Sequence, residues 1–227
     1  MNLFFNIIVS VPPLLIAVIL HEIAHGYVAK KLGDPTASDA GRLTLNPIKH
    51  IDLFWTILLP AMLIVCGSPV VLGGAKPVPV DPRYFRRPRK DMMWVALAGP
   101  LTNFILAGIS LVLFKLFLVL VLKNDPTPLM EQTLSNGILV LSLYIIAGWL
   151  QASVLINVIL GMFNLIPFPP LDGGRIAVGL LPWELARRWM RLERWGIVIV
   201  FVLLYFNIID WFLRPIYGWV VNFMYSM

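Results

Sequence analysis

The chain has 227 residues, 59% of them hydrophobic and only 13% charged, against roughly a quarter charged in a soluble domain. With a mean hydropathy of +0.84, that deficit excludes a soluble enzyme, a disordered chain and a conventional nucleic-acid binder. The net charge of +6, from 18 Lys and Arg against 12 Asp and Glu, informs through its placement, because membrane proteins gather cations in cytoplasmic loops.

Five apolar runs follow one another: Leu3–Ala29, Leu53–Leu72, Met92–Leu122, Ile138–Pro167 and Trp195–Leu213. A helix needs about 20 apolar residues to cross roughly 30 Å of hydrocarbon, so each is a candidate span. The first lacks the basic start of a secretory signal and is too long for one. The second holds Pro60 and Gly67-Ser68-Pro69, which break helices. Such a segment is tolerated at membrane depth where protein covers it. Cation counting separates a full crossing from a re-entrant hairpin. Residues 30–49 hold four Lys or Arg, residues 76–90 hold six and residues 175–194 hold five. If Leu53–Leu72 dips in and returns, 15 of the 18 cations share one side, the distribution the positive-inside rule favours. Lys115, near a span end, can snorkel. Cys66, the only cysteine, leaves no pair for a disulfide or a CxxC site and reads as apolar filler.

The expected fold is therefore an all-α membrane protein of one domain over 1–227, with four crossing helices plus a re-entrant hairpin. Its core covers about 3–180, and 195–213 forms an additional C-terminal span. The three cationic loops face the cytoplasm, both termini lie outside, and Trp183, Trp189, Trp195, Trp211 and Trp219 anchor span ends. The basic stretch from Arg83 to Lys90 is a topology signal with a further use in anionic lipid contact.

His21-Glu22-Ile23-Ala24-His25 carries the chemistry. Positions i and i+4 share a helix face, so both imidazoles reach one ion, and Glu22 sits beside its water. This is the HExxH zinc-hydrolase arrangement. Ionisable groups inside an apolar span cost several kcal/mol unless they are used; the plainer reading has these histidines only bridging helices. A catalytic zinc takes three protein ligands and a water. Asp172 is the candidate third, after a helix that Pro167, Pro169 and Pro170 must end and before Gly173-Gly174, which let the backbone turn. The plainer reading is an Asp-Gly turn; His50 and Asp52 are rival ligands of lower rank. For His21 and Asp172 to meet, their helices must run the same way, with an odd number of crossings between them. Met92–Leu122 supplies one, so Leu53–Leu72 must return, as the cation count also requires.

These motifs resemble the site-2 protease family of intramembrane zinc metalloproteases. His21–His25 matches its HExxH, Leu171-Asp172-Gly173 its LDG, and Ala98-Gly99-Pro100-Leu101-Thr102-Asn103 a glycine-proline-x-x-asparagine element on the intervening helix. The stretches 41–47 and 74–80 further resemble a compact prokaryotic branch without PDZ or CBS domains. The resemblance implies one zinc per chain held by His21, His25 and Asp172, and a membrane-protein or membrane-peptide substrate. It implies a multi-pass protein of the cell membrane, its metal site toward the cytoplasmic side. No nucleic-acid partner is expected.

In that chemistry zinc activates water and polarises the peptide carbonyl, while Glu22 moves the proton. Asn103, polar in an apolar helix, is a candidate donor to the oxyanion or an interhelical hydrogen-bonding residue; Asn157 and Asn164 read as the latter. Lys76-Pro77-Val78-Pro79-Val80 alternates proline with valine, which suits a short edge strand that binds substrate by strand addition, or else a stiff loop. The competing functions are a divalent-metal transporter or chaperone using the same ligands without hydrolysis, and a protease-derived binding protein that has lost activity.

Overall fold

A computed structural model of the chain describes residues 3–58, 61–62, 65, 73–123 and 137–226. Among these residues the architecture is helical throughout, with no β-strand. Helix α1 (Leu3–Lys31) is followed by the single turn α2 (Thr36–Asp39) and then by two long helices, α3 (Pro88–Lys123) and α4 (Gly137–Asn164). Helices α1, α3 and α4 contain 29, 36 and 28 residues, about 43, 54 and 42 Å at 1.5 Å per residue. All three are long and apolar enough to cross a membrane.

Their side chains are distributed for a lipid solvent. On α3, Leu101, Ile105, Ile109, Val112, Leu116 and Leu120 form an exposed apolar stripe at steps of three and four residues, the periodicity of one helix face. The opposite stripe, Ala96, Pro100, Asn103, Ala107, Ser110 and Phe114, is buried. Small and polar residues inside with large apolar ones outside is how helices pack when the solvent is as apolar as leucine. Glycines set the close approaches to α4: a Cβ on Gly148 would lie 2.8 Å from Val9, and one on Gly161 3.0 Å from Phe104.

The helix directions follow from these contacts. Trp149 Nε1, midway along α4, donates to the Ile8 carbonyl near the start of α1 at 2.8 Å. Along α3, Val95 lies beside His25 and Asn103 beside His21. Helices α1 and α4 thus run in the same direction, and α3 runs against both. The HExxH end of α1 and the exit of α4 share one end of the bundle.

The first, third and fourth apolar runs correspond to α1, α3 and α4. The fifth is interrupted. Beyond the 165–171 turn come α5 (Asp172–Leu180), α6 (Trp183–Arg191), a 3-10 turn at Leu192–Trp195, α7 (Gly196–Tyr205) and α8 (Ile208–Tyr225). The single span expected over 195–213 breaks at 206–207, where Asn207 takes the left-handed conformation (φ 56°), one that asparagine tolerates better than most residues. Helix α7, with 10 residues, is about 15 Å long, half a hydrocarbon core. Helix α8 packs back on the bundle through Val220 and Met224 against Phe114 and Val154. Lys115 Nζ donates to the Ser226 carbonyl at 3.0 Å, so this cation ties down the end of α8 rather than only reaching for the membrane surface.

The hairpin expected over Leu53–Leu72 lies largely outside the described residues. Its two ends meet. The Lys76 N–H donates to the His50 carbonyl at 2.8 Å, and Thr56 Oγ1 donates to the Gly74 carbonyl at 2.7 Å. The 76–80 segment has no regular secondary structure and differs from the expected edge strand in having no strand to pair with among the described residues. Pro77 and Pro79 remove two donors and force the residues before them into extended backbone. The remaining N–H groups of Lys76, Val78 and Asp81 go to His50, Glu22 and Asp34.

Candidate metal centre

The last turns of α1 place His21 and His25 one above the other, with ring centroids 4.6 Å apart and planes at 88°. Helix α3 can come close enough to hold them only because residue 99 is glycine. A Cβ there would lie 2.5 Å from His25 Cε1 and Nε2 and 2.6 Å from His21 Cε1. Below Gly99 on the same face, Val95 supplies a carbonyl that accepts from His25 Nδ1 at 2.7 Å. One turn above it, Asn103 Oδ1 accepts from His21 Nδ1 at 2.6 Å.

The orientation of Asn103 is fixed by a chain of partners that begins at groups unable to donate. Asn157 Nδ2 donates to the Ser153 carbonyl at 2.8 Å, which turns Asn157 Oδ1 toward Asn103. Asn103 Nδ2 donates to that oxygen at 2.9 Å and to the Ala17 carbonyl at 3.3 Å. Its Oδ1 must then face His21, whose Nδ1 carries the proton. Both imidazoles therefore present bare Nε2 lone pairs. Partners of this kind typically contribute 10–100-fold in metal affinity. Both amide hydrogens of Asn103 are engaged in this structure, by Asn157 Oδ1 and the Ala17 carbonyl, while its Oδ1 holds His21. Asn157 is part of the same support.

Asp172 completes the cluster from the first residue of α5. Three turns break the chain between α4 and α5, and Gly173 and Gly174 pack against the 165–169 backbone so closely that a Cβ on either would overlap it. This compact turn brings Asp172 Oδ2 to 3.1 Å from His21 Nε2 and 3.2 Å from His25 Nε2, with the two Nε2 atoms 3.0 Å apart. All three residues are buried, and Asp172 Oδ2 lacks a hydrogen-bond donor. A proton can serve only one of these contacts at a time; a cation serves all three. A tetrahedral zinc with bonds of about 2.0 Å spaces its ligands about 3.3 Å apart, which fits the observed triangle. The donor set of two imidazoles and a carboxylate, with a fourth position open, suits a catalytic zinc. His21, His25 and Asp172 are the group that could hold a metal among the described residues. His50 lies outside it, its Nε2 donating to the Thr44 carbonyl at 2.8 Å, and so does Asp52.

Glu22 Oε2 accepts the Val78 N–H at 2.8 Å. The 76–80 segment lies directly on α1, since a Cβ on Gly26 would be 2.7 Å from Leu43 and 2.8 Å from Val78. Two residues not singled out in the sequence hold this segment. Asp34, fully buried, accepts the Asp81 N–H at 2.7 Å and the Thr36 N–H at 2.9 Å. Buried Arg42 donates from Nη2 to the Lys76 carbonyl at 2.5 Å. Asp34-Pro35-Thr36 is a legible cap and turn pattern. Arg42 lies in the 41–47 stretch noted above, but nothing in that stretch points to the Lys76 carbonyl as its partner. Hydrogen bonds from the Arg83 side chain and backbone hold the neighbouring Asp81 carboxyl below the usual carboxylate range.

A membrane-embedded helical protein with an HExxH pair and a distant aspartate converging on one point is a metallopeptidase by class. Residues 10–207 match the model of peptidase family M50, and the chain belongs to that family. It is 40% identical over 190 residues to YwhC of Bacillus subtilis, covering 84% of this chain and 77% of the relative. It is 32% identical over 211 residues to Rip2 of Mycolicibacterium smegmatis, covering 92% and 71%. To MJ0392 of Methanocaldococcus jannaschii it is 29% identical over 168 residues, covering 74% of this chain and 33% of that protein. The names of all three describe zinc metalloproteases. No solved structure matches the chain.

Proposed function

We propose that the protein is an intramembrane zinc endopeptidase that hydrolyses peptide bonds in or beside membrane-spanning segments, with zinc on His21, His25 and Asp172 and Glu22 as the general base. The observation that carries this reading is the triangle of three buried acceptor atoms within 3.2 Å of one another, beside a glutamate, in a chain of the M50 family. Zinc, when bound, makes water a nucleophile near neutral pH and polarises a peptide carbonyl. Glu22 takes the proton from the attacking water and returns it to the leaving nitrogen. Asn103 and the Val95 carbonyl keep the two imidazoles turned toward the ion. The 76–80 segment receives the extended substrate. A helical substrate hides its carbonyls, so it must unwind before it is cut.

On this reading the protein is a multi-pass protein of the cell membrane. Cation placement supports a cytoplasmic side for the metal, with 15 of 18 Lys and Arg in the three loops around it. Helices α7 and α8 together take the place of the fourth crossing. A metal transporter would need ligands along a path. The polar chain leading away from His21 consists of Asn103, Asn157, Ser153 and Ser110, with no carboxylate, thiol or imidazole beyond the first step. The test is whether purified protein cuts an unfolded model chain and a zinc chelator stops it, with activity returning on zinc addition. Cutting unaffected by chelation, or metal flux without cutting, would contradict the proposal.

A further inference from the structure

Beside the metal centre lies a cavity of about 680 Å³, within the size range of small-ligand sites. Its walls come from the 77–82 segment, the start of α3, and the turn and helices that follow α4. Val78 belongs to one wall and donates to the base Glu22. Leu171 and Gly174 belong to the other and flank the ligand Asp172. A peptide bond held between Glu22 and Asp172 therefore has a neighbouring side chain at the mouth of this cavity. The Val80 N–H has no partner among the described residues. Alternate residues of an extended chain offer their backbone to one edge, so this donor shares the edge of the Val78 N–H and is available to such a peptide.

The lining is mostly apolar, and its charged groups are partnered at their ends, although Arg89 Nε has no partner among the described residues. Arg89 Nη2 donates to the Leu181 carbonyl at 2.6 Å, and its guanidinium lies 5.9 Å from the centre of the Trp183 ring. Arg175 pairs with Glu193 at 3.7 Å. The rest of the lining is largely apolar, with Met92, Val178, Met190, Trp183 and several prolines facing the space. Methionines give such a wall adaptable volume.

We propose that this cavity is the specificity pocket of the peptidase, and that it selects a bulky apolar side chain, of the size of Leu, Met or Phe, next to the scissile bond. The assignment rests on the peptidase reading given above. To test it, purified zinc-loaded protein is incubated with an unfolded casein chain and every cut is mapped by mass spectrometry. Leu, Met and Phe should be enriched at one fixed position relative to the cut. Val178→Phe, which fills the cavity, should retain its zinc, lower cutting at those sites about tenfold or more, the discrimination a methylene-scale change in an apolar pocket gives, and move the preference to Ala and Ser. Met190→Ala, which widens the cavity, should move the preference toward Phe and Trp, and decides the matter by itself if Val178→Phe fails to fold. Continued cutting by the variants with an unchanged residue profile overturns the pocket. Absence of any zinc-dependent cut by the unsubstituted protein overturns the peptidase reading, and this assignment with it.

Discussion

Gly99→Ala is expected to strip the protein of zinc while leaving its helices intact. The added Cβ would lie 2.5 Å from ring atoms of His25 and 2.6 Å from His21, well inside any ordinary carbon contact. Neither imidazole can yield without breaking the bond from its Nδ1 to Val95 or Asn103. The backbone itself gains, because alanine is favoured over glycine by about 1 kcal/mol in a helix interior. Zinc affinity should fall by about 100-fold, the upper range for disturbing the support of metal ligands, with unchanged far-UV circular dichroism. A Gly99→Ala protein that keeps its zinc would mean that the ligand histidines are not where α3 confines them.

Glu22→Gln separates metal binding from catalysis. Glutamine keeps the shape and an acceptor oxygen for the Val78 N–H, which now reaches Glu22 Oε2 at 2.8 Å, but it cannot take a proton. Zinc stoichiometry should stay unchanged, while the single-turnover rate of peptide cleavage falls by about 10²–10⁴-fold, the usual contribution of a positioned general base. Cleavage at the original rate would remove Glu22 from that role. Loss of zinc would instead make it a structural element of the metal centre.

Much of this arrangement is legible in the sequence, and the legible parts share a cause. Three long helices declare themselves because a bilayer demands about 20 apolar residues of each. His21, Glu22 and His25 stand out because charge inside such a run is costly. Asp172 follows from proline and glycine punctuation that confines it to a turn at the right end of α4. What is not legible depends on neighbours distant in the chain. Asn103 is conspicuous as a polar residue, but nothing in the sequence says that Asn157 Oδ1 and the Ala17 carbonyl take its amide hydrogens. The alternating prolines of 76–80 restrict the backbone locally. They do not reveal that His50 and Glu22 take the N–H groups of Lys76 and Val78, leaving that of Val80 for an added chain. The break at Asn207 is equally hidden, since one asparagine in an apolar run carries no strong signal by itself.

The central claim is that His21, His25 and Asp172 hold one metal ion together. Elemental analysis of the purified protein beside Asp172→Ala tests it most directly. The account predicts about one zinc per chain in the unaltered protein, as a single three-ligand site binds, and almost none after the substitution. Equal zinc in both proteins, or no stoichiometric zinc in the unaltered one, would contradict it.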